Sequence, residues 1–126
     1  MQSYRTFLGM SNKSYTVTYE CNNQYYVAPP VSIDKSLNKH QMVLSALFNV
    51  IEVINESTHE PYKLFFYCDD FDVAYEWKMY SNKKTFGDTT KDLELWFNVL
   101  SILNKKTQLF INDNNFLKVI GKLNGK

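Results

Sequence analysis

The chain has 126 residues, with 14 Lys and Arg against 13 Asp and Glu, for a net charge of +1. That balance argues against strong electrostatic capture of nucleic acid, which needs clustered cations to neutralise phosphates. Hydrophobic residues make up 44% and aromatic residues 16%, which excludes a disordered chain and suffices for one domain with its own core.

The basic residues are local: Lys83-Lys84, Lys105-Lys106, and Lys118, Lys122 and Lys126 near the end. Cys21 and Cys68 form neither a metal spacing nor a disulfide framework, so both are read as reduced core thiols. No run approaches the ~20 apolar residues of a membrane span. The opening Met-Gln-Ser-Tyr-Arg lacks the apolar region of a signal peptide. A cytoplasmic protein without membrane association or cofactor is expected.

Arg5 to Met10 reads as a first strand. From Ser14 to Glu20, Tyr15, Val17 and Tyr19 alternate with polar residues, the period of a half-buried strand. Asn22-Asn23 tolerates positive φ, and Gln24 to Val27 returns as a third strand. Pro29-Pro30 ends it, because proline donates nothing to the ladder. Asn38 to Glu56 is the clearest helix. Val43, Ala46, Leu47, Val50, Ile51 and Ile54 form its stripe, and Asn38 is its N-cap.

Leu64 to Cys68 is apolar at every position and predicts a strand inside the sheet, covered on each side. Phe71 to Tyr80 predicts a second helix. Asp92 to Asn104 predicts a third, with Leu93, Trp96, Phe97, Leu100 and Leu103 buried. Gln108 to Ile111 is a last strand, Asp113-Asn114-Asn115 a turn, and Phe116 to Leu123 is open between half a helical turn, a strand and a frayed tail. A single domain over 1–126 follows, with a core over 1–112 and a short tail over 113–126.

The first three strands are hairpin-linked, hence antiparallel. The fourth returns through a helical crossover, which favours parallel pairing with the first. The expected architecture is α/β: a mixed five-stranded sheet with helices on both faces.

That order, with local sequence to match, resembles the ribonuclease H family from about Tyr4 to Asn112. Asn38 to Ile54 is similar to the family's first helix, which opens Thr-Asn-Asn-x-x-Glu-Leu-x-Ala. Phe65-Phe-Tyr-Cys-Asp-Asp-Phe-Asp-Val73 is similar to the fourth strand ending Thr-Asp-Ser-x-Tyr-Val. Lys91-Asp-Leu-Glu-Leu-Trp96 with Asn98 to Leu103 is similar to the Asp-Leu-Trp helix before the last strand.

The resemblance implies a nuclease using about four carboxylates to hold two metal ions roughly 3.5–4 Å apart. Of those positions only Asp69 carries an acid here, as a vestigial ligand. Leu8 or Gly9 stands in the first strand and Val43 in the first helix where the family has acids. No catalytic and no metal-binding residue is therefore expected. Asp69, Asp70 and Asp72 read as caps of the second helix. His40 and His59 have no partner at metal spacing and read as solvated.

Two binding surfaces are expected. A protein partner would meet exposed aromatics among Tyr25, Tyr26 and Phe116, making the chain an accessory subunit or inhibitor. Of two adjacent tyrosines in a strand, one should face the core and the other solvent. The alternative is nucleic acid on the basic-aromatic segment 77–86, through Lys78, Tyr80, Lys83, Lys84 and Phe86. A weak metal-dependent nuclease is the third possibility.

Overall fold

A computed structural model of the chain describes residues 1–113. The elements are β1 (Gln2–Met10), β2 (Ser14–Cys21), β3 (Gln24–Val27), β4 (Val31–Ser32), α1 (Lys39–Ser57), β5 (Tyr62–Cys68), α2 (Phe71–Lys83), α3 (Leu93–Ile102) and β6 (Gln108–Asp113). They form one mixed sheet in the order β3-β2-β1-β5-β6, with β4 beside β2. β1 pairs antiparallel with β2 and parallel with β5, setting Phe7 opposite Tyr67. β6 continues the sheet parallel to β5. The parallel β1–β5 pair is the one expected from the crossover.

Local chemistry explains the turns. Asn22 and Asn23 sit at φ 54° and 64°, the double left-handed geometry that a two-residue hairpin needs to match strand twist. β3 ends at Val27, before Pro29-Pro30 as expected, and the edge resumes beyond them. β3 pairs with one stretch of β2, Thr18–Cys21, and β4 pairs with Ser14 and Tyr15 farther along the same strand. The sheet therefore has a sixth short strand that the prolines hide in the sequence. Asp113 belongs to β6, paired with Cys68, and not to a turn.

Asn38 caps α1. Its side chain accepts from the Gln41 amide at 2.9 Å while Gln41 Oε1 accepts from the Asn38 amide at 3.0 Å, a reciprocal pair that satisfies two free donors. All six residues of the α1 stripe are 2% exposed or less. Met42 and Leu44 are buried too, so α1 is enclosed over much more than one stripe.

The sequence reading places helices on both faces. Among the described residues, all three helices contribute instead to one core, with Leu8, Val17, Leu64, Phe66 and Leu109 from the sheet. β5 alternates accordingly: Tyr62, Leu64, Phe66 and Cys68 are buried, while Lys63, Phe65 and Tyr67 are half-buried. On the second face Phe7 stacks on Tyr67 and Phe65 on Phe110, each at 5.0 Å between ring centres. Aromatic pairing across strands thus supplies part of the shelter that the apolar run predicts.

The α3 stripe is rotated from the expected one. Trp96 and Val99 are buried, but Leu93 and Phe97 are exposed. The indole of Trp96 sets this orientation. Its N–H must reach an acceptor when buried, and that acceptor, Glu76, lies on α2. No helix among the described residues is long and apolar enough to cross a membrane.

Candidate functional site

The carboxyl ends of the parallel strands are where open α/β sheets place ligands, and Asp69 stands there just past β5. Its side chain is largely exposed and meets Lys39 Nζ only at 3.9 Å, a surface pair of little energetic weight. Asp70 is the N-cap of α2 and accepts from the Val73 amide at 3.1 Å. Asp72, in the first turn, pairs with Lys91 Nζ at 3.1 Å. Two of the three acids therefore serve the start of α2 as expected, and Asp69 stands outside it. At the other positions implied by the resemblance, Val43 is fully buried and the first strand offers Leu8, 6% exposed, or Gly9, which is exposed; none of them has a side chain that can bind a metal. These residues do not fit a pair of divalent ions. Among the described residues no group of three or more His, Cys, Asp or Glu side chains is arranged to hold a metal.

The largest correction concerns His40. Expected in solvent, it is 8% exposed and lies between two acids. Nε2 is 2.8 Å from Glu76 Oε1, and Nδ1 is 2.6 Å from Asp92 Oδ2. Glu76 also accepts from the Trp96 indole at 2.9 Å and the Lys91 amide at 3.0 Å. Asp92, held at φ 55°, accepts from Gln41 at 3.2 Å.

The cluster ties α1, α2 and the start of α3 together. Burial alone would lower the His40 pKa, but hydrogen bonds to Glu76 and Asp92 outweigh it, and the pKa is raised above 6.5. When protonated, His40 donates from both ring nitrogens to the two carboxylates and has no lone pair free for base or metal chemistry. The cluster is a clamp. Its partners lie 36 and 52 residues away in sequence, beyond any local motif. His59 is exposed, as expected.

The basic-aromatic segment is divided by the fold. Tyr80 stacks on Trp77 at 5.3 Å and on Phe86 at 4.5 Å, and Phe86 also contacts Trp96 at 5.3 Å. Their rings close the edge of the core. Lys78, Lys83 and Lys84 are exposed, but Lys78 borders a groove with Phe71 and Tyr75, whereas Lys84 borders another with Lys105 and Lys106.

The edge strand differs from expectation in the opposite sense. Tyr25 and Tyr26 are both exposed, at 71% and 60%, and Val27 at 62%. The alternation of a strand buries one residue in two only where a layer covers it, and the helical layer does not enclose β3. Tyr26 leans instead on Tyr19, 6.3 Å away. Phe116 lies outside the described residues.

No family model matches the sequence. No curated protein matches it either. Solved structures do. The foamy viral protease-reverse transcriptase in complex with double-stranded DNA is similar over 89% of this chain, at a TM-score of 0.56 and 14% identity. The fold is ribonuclease H-like. This chain spans 24% of that protein's length. A structure of the foamy viral protease-reverse transcriptase dRH with double-stranded DNA aligns over 88% of this chain and 20% of its own, at 12% identity and a TM-score of 0.47. At such identities the likeness concerns the fold alone.

Proposed function

We propose that this chain is a non-catalytic ribonuclease H-like module that binds a protein partner. The observation that carries the reading is the run Tyr25, Tyr26, Val27, each at least 60% exposed on an edge strand. A sheet edge offers unpaired backbone groups, and an extended segment of another chain can add to it. Beside this edge a groove of about 350 Å³ is lined by Tyr4, Tyr19, Tyr25, Tyr26, Val53 and Ile54, a place for the partner's side chains. Pro29-Pro30 limits the pairing to the short stretch before it. The absence of catalysis is supported by Leu8 or Gly9 and by Val43, none of which has a side chain that can bind a metal, so that Asp69 is the one acid among the positions implied by the resemblance.

A photo-crosslinking residue at position 25, in cells that make the protein, should trap one discrete partner that the same residue at exposed position 60 does not. The same partner at both positions, or none at position 25, overturns the reading. Purified protein with an RNA–DNA hybrid and magnesium or manganese should cut nothing; cleavage that disappears in Asp69→Asn would reveal a site.

Nucleic acid is the second reading, favoured by the exposed Lys83 and Lys84 and by a fold solved elsewhere with DNA. It predicts binding that falls steeply with salt and weakens in the double variant Lys83→Ala, Lys84→Ala. No measurable binding at low salt removes its support.

A further inference from the structure

Lys84 and Lys105-Lys106 are far apart in sequence, yet the fold brings them to one groove of about 790 Å³. Lys84 comes from the end of α2, and Lys105 and Lys106 from the loop leading into β6. The groove lies at the amino end of β6, the end of the sheet opposite Asp69. Its apolar lining includes Trp77, Leu100, Leu103 and Leu109, and no carboxylate is among the residues that line it.

Three exposed lysines around one concavity without an acid give it a positive potential, screened by water and salt, that an anionic ligand would complement. The backbone that presents them is fixed. Lys84 is in a left-handed C-cap, its amide donating to the Tyr80 carbonyl at 2.6 Å. The Lys106 amide donates to Asn104 Oδ1 at 2.8 Å, and Thr107, buried, donates its amide to the Asn104 carbonyl at 2.9 Å. The lysines are thus held beside the groove by a set turn.

We infer that this groove docks an acidic peptide segment whose apolar side chains enter it while its carboxylates meet the three lysines. Charge complementarity calls for an anion, and the Leu100, Leu103 and Leu109 lining calls for apolar side chains beside the charges. A nucleic-acid strand fits less well. Its bases need free ring faces, whereas Trp77 is stacked on both Tyr80 and Trp96, and Tyr80 also on Phe86. The inference rests on the reading of the chain as a protein-binding module and adds a surface separate from β3.

The probe is a short fluorescent peptide alternating glutamate with leucine, followed by anisotropy at low salt. Saturable binding is expected. It should weaken about tenfold or more in the triple variant Lys84→Glu, Lys105→Glu, Lys106→Glu, and persist in the control Lys13→Glu, Lys35→Glu, whose residues do not line the groove. Replacing leucine by serine in the peptide should weaken it severalfold. All five lysines are exposed, so both variants should retain the wild-type melting curve. Three results overturn the inference: no saturable binding, equal losses in both variants, or tighter binding of an oligothymidylate of equal charge. The last would assign the groove to nucleic acid. Because crosslinking at position 25 does not depend on these lysines, it still stands or falls by itself if the groove fails.

Discussion

Two acidic regions of this protein behave in opposite ways. Asp69, Asp70 and Asp72 are neighbours in sequence, yet they share no ligand and spend their charges separately at the surface or on the start of α2. Glu76 and Asp92 are 16 positions apart by number and converge on a single buried imidazole. Density of acids along a chain is thus a poor guide to where charge matters. An acid gains energetic weight when water is removed from around it and a partner replaces that water.

The contrast can be broken most directly at Glu76. Glu76→Ala leaves a buried cation, the Trp96 indole and the Lys91 amide without their acceptor, and should cost about 3–5 kcal/mol of stability in urea denaturation. If that variant does not fold, Glu76→Gln, which keeps an acceptor oxygen, should fold with a smaller loss. A cost below about 1 kcal/mol for Glu76→Ala would mean the clamp carries no more than an exposed pair.

His40 gives a second, pH-dependent handle. Its folded-state pKa lies above the unfolded value near 6.5. The stabilisation is therefore complete below that value and is lost as pH rises through the folded pKa. Glu76, Asp92 and the nearby Asp70 are the charges that hold it. The stability gap between wild type and His40→Gln should be widest at about pH 5 and narrow toward about pH 9. A gap that widens with pH would reverse the assignment of the imidazolium.

The smallest effects sharpen the other side of the comparison. Asp70→Ala removes an N-cap and should cost about 1 kcal/mol. Asp69→Asn should stay within about 0.5 kcal/mol of wild type. Equal costs for the two would show that their adjacency matters more than the cap.

Much of the fold was legible because its signals are local. The Tyr15, Val17, Tyr19 alternation, the α1 stripe and the Asn22-Asn23 turn each lie within one element; the stripe and the turn are realised, and the alternation buries Tyr15 and Val17 fully and Tyr19 in part. The parallel β1–β5 pair followed from the helical crossover between them. The partners of His40 were illegible because they exist only once α1, α2 and α3 have docked. The exposure of both Tyr25 and Tyr26 was missed for a related reason: alternation names two faces of a strand and does not say whether a layer covers either. The lysine groove mixes the two cases, since each basic pair is visible in sequence and their meeting is not.

The two thiols give the chain a built-in clock. Cys68 is fully buried at the end of β5, and burial above all pushes its pKa up to about 12, so almost none of it is reactive thiolate at neutral pH. Cys21 is half-buried beside the β2–β3 turn, where the Gln2 side-chain amide donates to its sulfur at 3.2 Å. A thiol reagent should therefore take Cys21 first, timing the fraying of the edge hairpin that carries Tyr25 and Tyr26, and take Cys68 at the pace of opening of the centre of the sheet. A partner seated on β3 would slow the first reaction and leave the second nearly untouched, so edge occupancy could be followed without any label on the partner.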